Sequence, residues 1–167
     1  KLLRQLCGDK LILGCGVPVM PAFGLVDYCR ISCDVSLDWD DVPLHRVANR
    51  ERISTKHAIY TALFRRELDG RAFGNDPDVF YLRDDNIRLT ADEKKLLAIN
   101  CALFGSVHLC SDDMNDYTDI KKDAFRQLRR ISTADNIRVE HEANEKGGAV
   151  FRGNYCLDGK EYTYDIP

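Results

Sequence analysis

Short apolar runs alternate with longer stretches of helical periodicity over most of the chain. Leu2, Leu3 and Leu6 recur at helical spacing and stop at Gly8, the pattern of a helix end. Leu11-Ile12-Leu13-Gly14-Cys15-Gly16 is a continuous apolar run, expected as a strand buried on both faces. A loop punctuated by Pro18, Pro21 and Gly24 leads to a second strand over 25–31. From about Pro43 to Leu68, Val47, Ala48, Ile53, Ala58, Ile59, Ala62 and Leu63 form the apolar face of one or two helices closed by Asp69-Gly70. Short strand candidates at 71–74 and 79–82 flank Asn75-Asp76-Pro77-Asp78. Thr90 and Glu93 form a capping box that opens a helix carrying Leu96, Leu97, Ile99, Leu103 and Phe104 and ending at Gly105. Val107 to Cys110 reads as a fourth strand, and Ile120, Ala124, Phe125, Leu128 and Ile131 mark one more amphipathic helix.

The pattern changes after Thr133. Residues 136–141 alternate, with Ile137 and Val139 on one side, and Asp158-Gly159 is a hairpin signal. A boundary is expected near Ser132 to Asp135, dividing the chain into 1–132 and 133–167. Strand–helix alternation repeated four times implies a parallel sheet, and four units are half of an eight-unit β/α barrel. The strands that follow without helices imply the beginning of an antiparallel β-sandwich or β-appendage. A dinucleotide fold is not expected, because Gly14-Cys15-Gly16 lacks the third glycine of the phosphate-binding turn.

Composition narrows this picture. One hundred and sixty-seven residues are about one domain's worth, and 44% hydrophobic residues supply a core. A net charge of −3 argues against nucleic acid as a partner, and no apolar run is long enough to cross a membrane. The seven cysteines are odd in number and show no Cys-x-x-Cys or Cys/His metal spacing. Reduced, mostly buried thiols in a cytoplasmic protein are the expectation, with neither disulfide framework nor zinc site. Lys1 enters directly on an apolar-periodic run and 162–167 reads as an interrupted strand, so a fragment of a longer protein is expected.

Chemistry-bearing residues collect where the strands end: Cys15 and Gly16, then Arg30 and Asp34, then Asp76 and Asp78, then Ser111 and Asp112. In a β/α barrel these ends share one face, where active sites lie. Each has a plainer reading. Asp34 also suits a turn cap, Asp40 and Asp41 suit solvated or capping positions, and Ser111-Asp112 suits a turn approaching a helix. Trp39 suits the core as well as stacking on a sugar face. His45 and His57 read as surface residues, His108 as a core histidine, and Arg65-Arg66-Glu67 as a solvated helix face. No nucleophile elbow is present. A carboxylate-rich pocket with an arginine, a tryptophan and no metal signature suits glycoside hydrolysis, in which two carboxylates flank the scissile bond.

Leu13-Gly14-Cys15-Gly16-Val17-Pro18, the Arg-x-x-x-Asp piece Arg30 to Asp34, and Ala72 to Phe80 with its Asn-Asp-Pro-Asp resemble the second half of the catalytic barrel of melibiase-type α-galactosidases, glycoside hydrolase families 27 and 36. The resemblance covers about residues 1–131. It implies an α/β fold: the second half of a (β/α)8 TIM barrel, strands 5–8, followed by the start of an antiparallel β-sandwich. It also implies Asp34 as general acid/base, Arg30 on the sugar, Asp78 with Asp76 lining the pocket, and Cys15 and Gly16 facing the sugar. Trp39 joins them as the stacking candidate. The implied substrate is a terminal α-galactoside of the melibiose or raffinose type, hydrolysed with retention and without cofactor or metal; a homo-oligomer is compatible with this reading. The family's nucleophile, an aspartate in a Lys-x-Asp piece, has no counterpart ahead of Leu11, so the chain alone is expected to be inactive. Two alternatives stay open at this point: a non-catalytic carbohydrate-binding or structural module, and a related α-N-acetylgalactosaminidase.

Overall fold

Ser54 begins the longest described helix in the first half of the chain. Its hydroxyl accepts the His57 N–H and caps the helix α2, Thr55–Arg65, whose inner face is Ala58, Ile59, Ala62 and Leu63. The computed structural model describes residues 1–40, 53–143 and 149–167. Before α2 stand a short helix α1, Leu2–Cys7, and the strands β1, Leu13–Gly14, and β2, Tyr28–Arg30. After it come β3, Gly74–Asp76, β4, Val79–Phe80, the helix α3, Ala91–Phe104, the strand β5, Leu109–Cys110, and the helix α4, Asp119–Ile131. Three longer strands close the chain: β6, Asp135–Ala143, β7, Ala149–Leu157, and β8, Lys160–Ile166. Asp41, His45, Val47 and Ala48 lie outside the described residues.

The strands of the first part are parallel. β1 pairs with β2, β2 with β3, and β4 with β5. Only Pro77 and Asp78 separate β3 from β4. Pro77 has no N–H to donate, and Asp78 takes a φ of 81°, so the ladder breaks there. One extended run thus offers its first half to β2 and its second half to β5. α3 follows it, opened by the expected capping box between Thr90 and Glu93. Leu97, Ala98, Cys101 and Phe104 of α3 are buried, so this helix is central, whereas α4 lays only a half-buried stripe of Phe125, Leu128 and Ile131 on the same core.

Several expectations change. The first connection, between β1 and β2, holds only a 3-10 turn, Met20–Ala22, because its prolines stop a longer helix. The strand expected at 71–74 begins at Gly74 instead, so Asn75 and Asp76 lie within it rather than beyond its end. Ile53 precedes the capped start of α2 and is exposed. The first strand is not buried on both faces: Ile12 and Gly14 are buried but Leu11 and Leu13 are exposed, and no strand among the described residues covers the outer edge of β1. His108 is exposed, not in the core, because it stands before β5 on the open side of a two-stranded sheet. Of the seven cysteines only Cys29 and Cys101 are buried.

β6, β7 and β8 form an antiparallel sheet turned at Asp158-Gly159, both at positive φ as a tight hairpin requires. Tyr155 and Ile166 enter the same core cluster as Leu63 and Leu97, with Val139, Phe151 and Tyr164 packed against it. The Tyr164 ring lies where a Cβ on Gly153 would stand. The opposite face is polar: Arg152 pairs with Asp165 and Glu142, and Thr163 bonds Asn154. Among the described residues no helix is long and apolar enough to cross a membrane.

Candidate functional site

The parallel register sets Arg30, the last residue of β2, opposite Asp76, the last residue of β3. The ladder continues past them, since the Ile31 N–H donates to the Asp76 carbonyl at 2.9 Å. Arg30 Nε reaches Asp76 Oδ2 at 3.0 Å, and its Nη1 reaches Asp78 Oδ1 at 2.9 Å and Asp34 Oδ1 at 3.4 Å. Three carboxylates therefore surround one guanidinium. A buried charge is tolerated only when paired and hydrogen-bonded, which is what this arrangement provides. Burial alone would lower the pKa of Arg30, but the carboxylates of Asp78 and Asp76 outweigh it and hold the group above its ordinary value.

The three carboxylates differ in exposure. Asp76 is wholly buried; one oxygen faces Arg30 and the other accepts the Asp78 N–H at 2.9 Å. Asp78 is buried too, and its Oδ2 accepts the Val35 N–H at 2.7 Å. Burial pushes the Asp78 carboxyl up, and the Val35 N–H and the Arg30 charge only partly offset this. Asp34 is the open one, with its side chain 64% exposed beside an Arg30 side chain only 14% exposed. The cluster can thus present one carboxyl to a ligand while the other two hold the arginine.

The remaining expected residues fall around this cluster at different ranges. Cys15, exposed in the turn after β1, is close enough to act on the ionisation of both Cys29 and Arg30. Gly16 beside it has a φ of 68°, which favours glycine. Trp39 is half-buried and packs against the larger core cluster, while its carbonyl accepts the Lys56 N–H at 2.9 Å. Asp40 accepts from the Ser54 hydroxyl at 2.9 Å and so steadies the residue that caps α2. Arg65, expected on a solvated face, donates to the Ile31 carbonyl at 2.5 Å. The Asp112 carboxylate is buried and accepts from the Leu82 N–H at 2.6 Å, the Arg83 N–H at 3.1 Å and the Tyr117 hydroxyl at 2.8 Å, which fastens the chain after β4.

Tyr81 is a neighbour that sequence reasoning missed. It is buried under the Arg83 guanidinium, 5.1 Å from the ring centroid. Burial first, and then the charge of Asp78, pushes its hydroxyl pKa up, with Asp34 adding to the effect. Its place three residues after Asp78 in the same extended run was the available signal. A mostly apolar hollow of about 300 Å³ lies between α3 and α4, with Tyr81, Ala98 and Leu128 in its wall; Arg30 and Asp34 do not line it. Among the described residues, no group of three or more His, Cys, Asp or Glu side chains is placed to hold a metal ion.

No family model matches the chain. Its fold is similar to that of TtGalA, an α-galactosidase from Thermus thermophilus. The structure in complex with p-nitrophenyl α-D-galactopyranoside matches with a TM-score of 0.71 and 24% identity, over 97% of this chain and 31% of that one. The structure in complex with stachyose matches with a TM-score of 0.68 and 26% identity, over 76% of this chain and 28% of that one. The chain spans about a third of the length of these solved chains. The resemblance carried by the Arg-x-x-x-Asp and Asn-Asp-Pro-Asp pieces thus meets an α-galactosidase in the fold as well.

Proposed function

We propose that these residues carry the acid/base half of a retaining α-galactosidase site. The carrying observation is Asp34, an exposed carboxyl set against the half-buried Arg30 where a parallel strand ends, in a fold similar to an α-galactosidase. In this reading β1, β2, the β3–β4 run and β5 are strands 5–8 of a (β/α)8 barrel over 1–132, and 133–167 belongs to a C-terminal β-domain. The coverage of only 31% of the similar chain and the exposed Leu11 and Leu13 at β1, whose outer edge no described strand pairs with, support it.

Asp34 gives its proton to the glycosidic oxygen as the bond to the anomeric carbon breaks. A second carboxylate forms a bond to that carbon on the opposite face. Asp34, now ionised, takes a proton from the water that displaces the enzyme carboxylate and restores it. Such pairs stand about 5–5.5 Å apart. Asp76 and Asp78 are both engaged by Arg30 and backbone N–H groups, and the resemblance to melibiase-type α-galactosidases implies a nucleophile aspartate on an earlier barrel strand. Arg30 holds sugar hydroxyls, Cys15 and Gly16 border the sugar from the end of β1, Trp39 offers the stacking face, and Asp76 and Asp78 border the site behind Arg30. The substrates are terminal α-galactosides of the melibiose or raffinose type, and no cofactor enters.

The test compares Asp34→Ala with the natural protein in its complete chain. Cleavage of p-nitrophenyl α-galactoside, whose leaving group needs little protonation, is expected to keep measurable glycosylation. Melibiose cleavage is expected to fall by about 10²–10⁴-fold, the usual worth of a general acid. An unchanged melibiose rate removes Asp34 from the role. The 167 residues alone are expected to turn over neither substrate, and turnover abolished by Asp34→Asn would contradict that.

A further inference from the structure

We infer that Asp78 acts as the positioning residue of the acid/base, holding Asp34 against Arg30 rather than contacting the sugar itself. This rests on the α-galactosidase reading of Asp34. The geometry is specific. One Asp78 oxygen accepts the N–H of Val35, the residue directly after Asp34, at 2.7 Å. The other lies 2.9 Å from the same Arg30 nitrogen that reaches Asp34 at 3.4 Å. Asp78 therefore grips Asp34 from two sides, through the backbone that follows it and through the cation beside it. Both of its oxygens are used, and the residue is only 5% exposed, so little of it is left for a ligand.

The backbone is built around this grip. Asp78 is a non-glycine residue at a φ of 81°, a conformation that costs energy unless the surroundings hold it. They do so from both strands. Asp76 Oδ1 accepts the Asp78 N–H at 2.9 Å, and the Ser32 hydroxyl donates to the Pro77 carbonyl at 3.0 Å. The kink that separates β3 from β4 is thereby welded to the 30–35 segment that carries Asp34. Without the kink the carboxylate of residue 78 would lie elsewhere along the pleat, out of reach of the Val35 N–H.

Asp78→Asn is the informative variant. Asparagine tolerates positive φ, so the backbone is spared, while the amide removes the charge facing Arg30. Two readouts are made in the complete chain. In the first, kcat/KM is measured on p-nitrophenyl α-galactoside and on melibiose. A displaced acid/base predicts leaving-group dependence: a loss of about 10-fold or less on the aryl substrate and about 100-fold on melibiose. Both substrates carry the same galactose, so a sugar contact or a loss of folded protein predicts equal losses, and equal losses overturn the inference. In the second, hydrogen exchange at the Val35 amide is compared in Asp78→Asn and Asp78→Ala. Faster exchange at Val35, with α3 protection unchanged, is expected in Asp78→Ala at least; unchanged exchange in both variants overturns the inference. If the natural protein cleaves neither galactoside, the α-galactosidase reading of Asp34 fails, and the exchange experiment still decides whether Asp78 holds the segment.

Discussion

Arg30 and Asp76 are forty-six residues apart in sequence, direct partners in the parallel register, and joined by an ion pair of 3.0 Å with the carboxylate wholly buried. The pair works as the floor of the site. Asp76 faces no solvent, so its chemistry is spent on Arg30 and on the Asp78 N–H. Arg30 carries that order outward to the exposed Asp34.

Removing that floor should be costly. Asp76→Ala leaves a guanidinium with one buried counter-charge fewer and strands the Asp78 N–H. A loss of about 2–4 kcal/mol is expected, read by urea unfolding, with Asp78 limiting the damage because it still pairs with Arg30. A loss below about 1 kcal/mol would show that water replaces the carboxylate at this position.

Gly105 is a second sensitive point, at the end of α3. A Cβ there would stand 2.6 Å from Pro77 Cδ and 2.8 Å from the Cys101 carbonyl oxygen. Neither is the far end of a flexible chain. Gly105→Ala should cost about 1–3 kcal/mol as overpacking does. Because the pressure falls on Pro77, Val35 amide exchange should also quicken, and hydrogen exchange checks both effects together.

Acid should loosen the first part of the chain through Asp27. Its carboxylate takes the Arg4 guanidinium at 2.7 Å and the Ile12 N–H at 2.7 Å, and these hold its pKa below the ordinary carboxylate value. The folded state thus binds this proton less readily than the unfolded chain. The stability it contributes is fully present above about pH 4 and is lost as pH falls through the lowered folded value. Asp27→Asn should flatten the acid side of a plot of Tm against pH, with little change in its slope near neutrality.

Thr90 tests the one helix start, among the described residues, whose cap is complete on both sides. Its hydroxyl accepts the Glu93 N–H, and the Glu93 carboxylate accepts the Thr90 N–H at 2.7 Å. Thr90→Ala should cost about 1 kcal/mol in thermal or urea unfolding, and Thr90→Ser should restore most of it.

The elements of local origin were legible in the chain. The capping box at Thr90, the amphipathic stripe of α4, the Asp158-Gly159 hairpin and the change of pattern after Thr133 all depend on residues within a few positions of one another. Errors arose where distant chain decides. Leu11 and Leu13 look like buried strand residues, but burial depends on what covers β1, and no described strand pairs with its outer edge. His108 looks like core for the same reason and is exposed. Arg65 looks solvated, yet it reaches the carbonyl of Ile31, thirty-four residues earlier.

The candidate site divides along the same line. By itself the sequence determined which groups are available: an arginine and an aspartate four apart at a strand end, and an Asn-Asp-Pro-Asp turn later, because these are matters of residue type and spacing. The tertiary structure alone decided how they divide the work. Parallel register brings Asp76 opposite Arg30, and the positive φ at Asp78 turns its carboxylate onto Val35. Two aspartates are buried as a consequence, and Asp34 is left open to a ligand. Exposure and pairing are properties of packed neighbours, and a linear pattern of residues does not contain them.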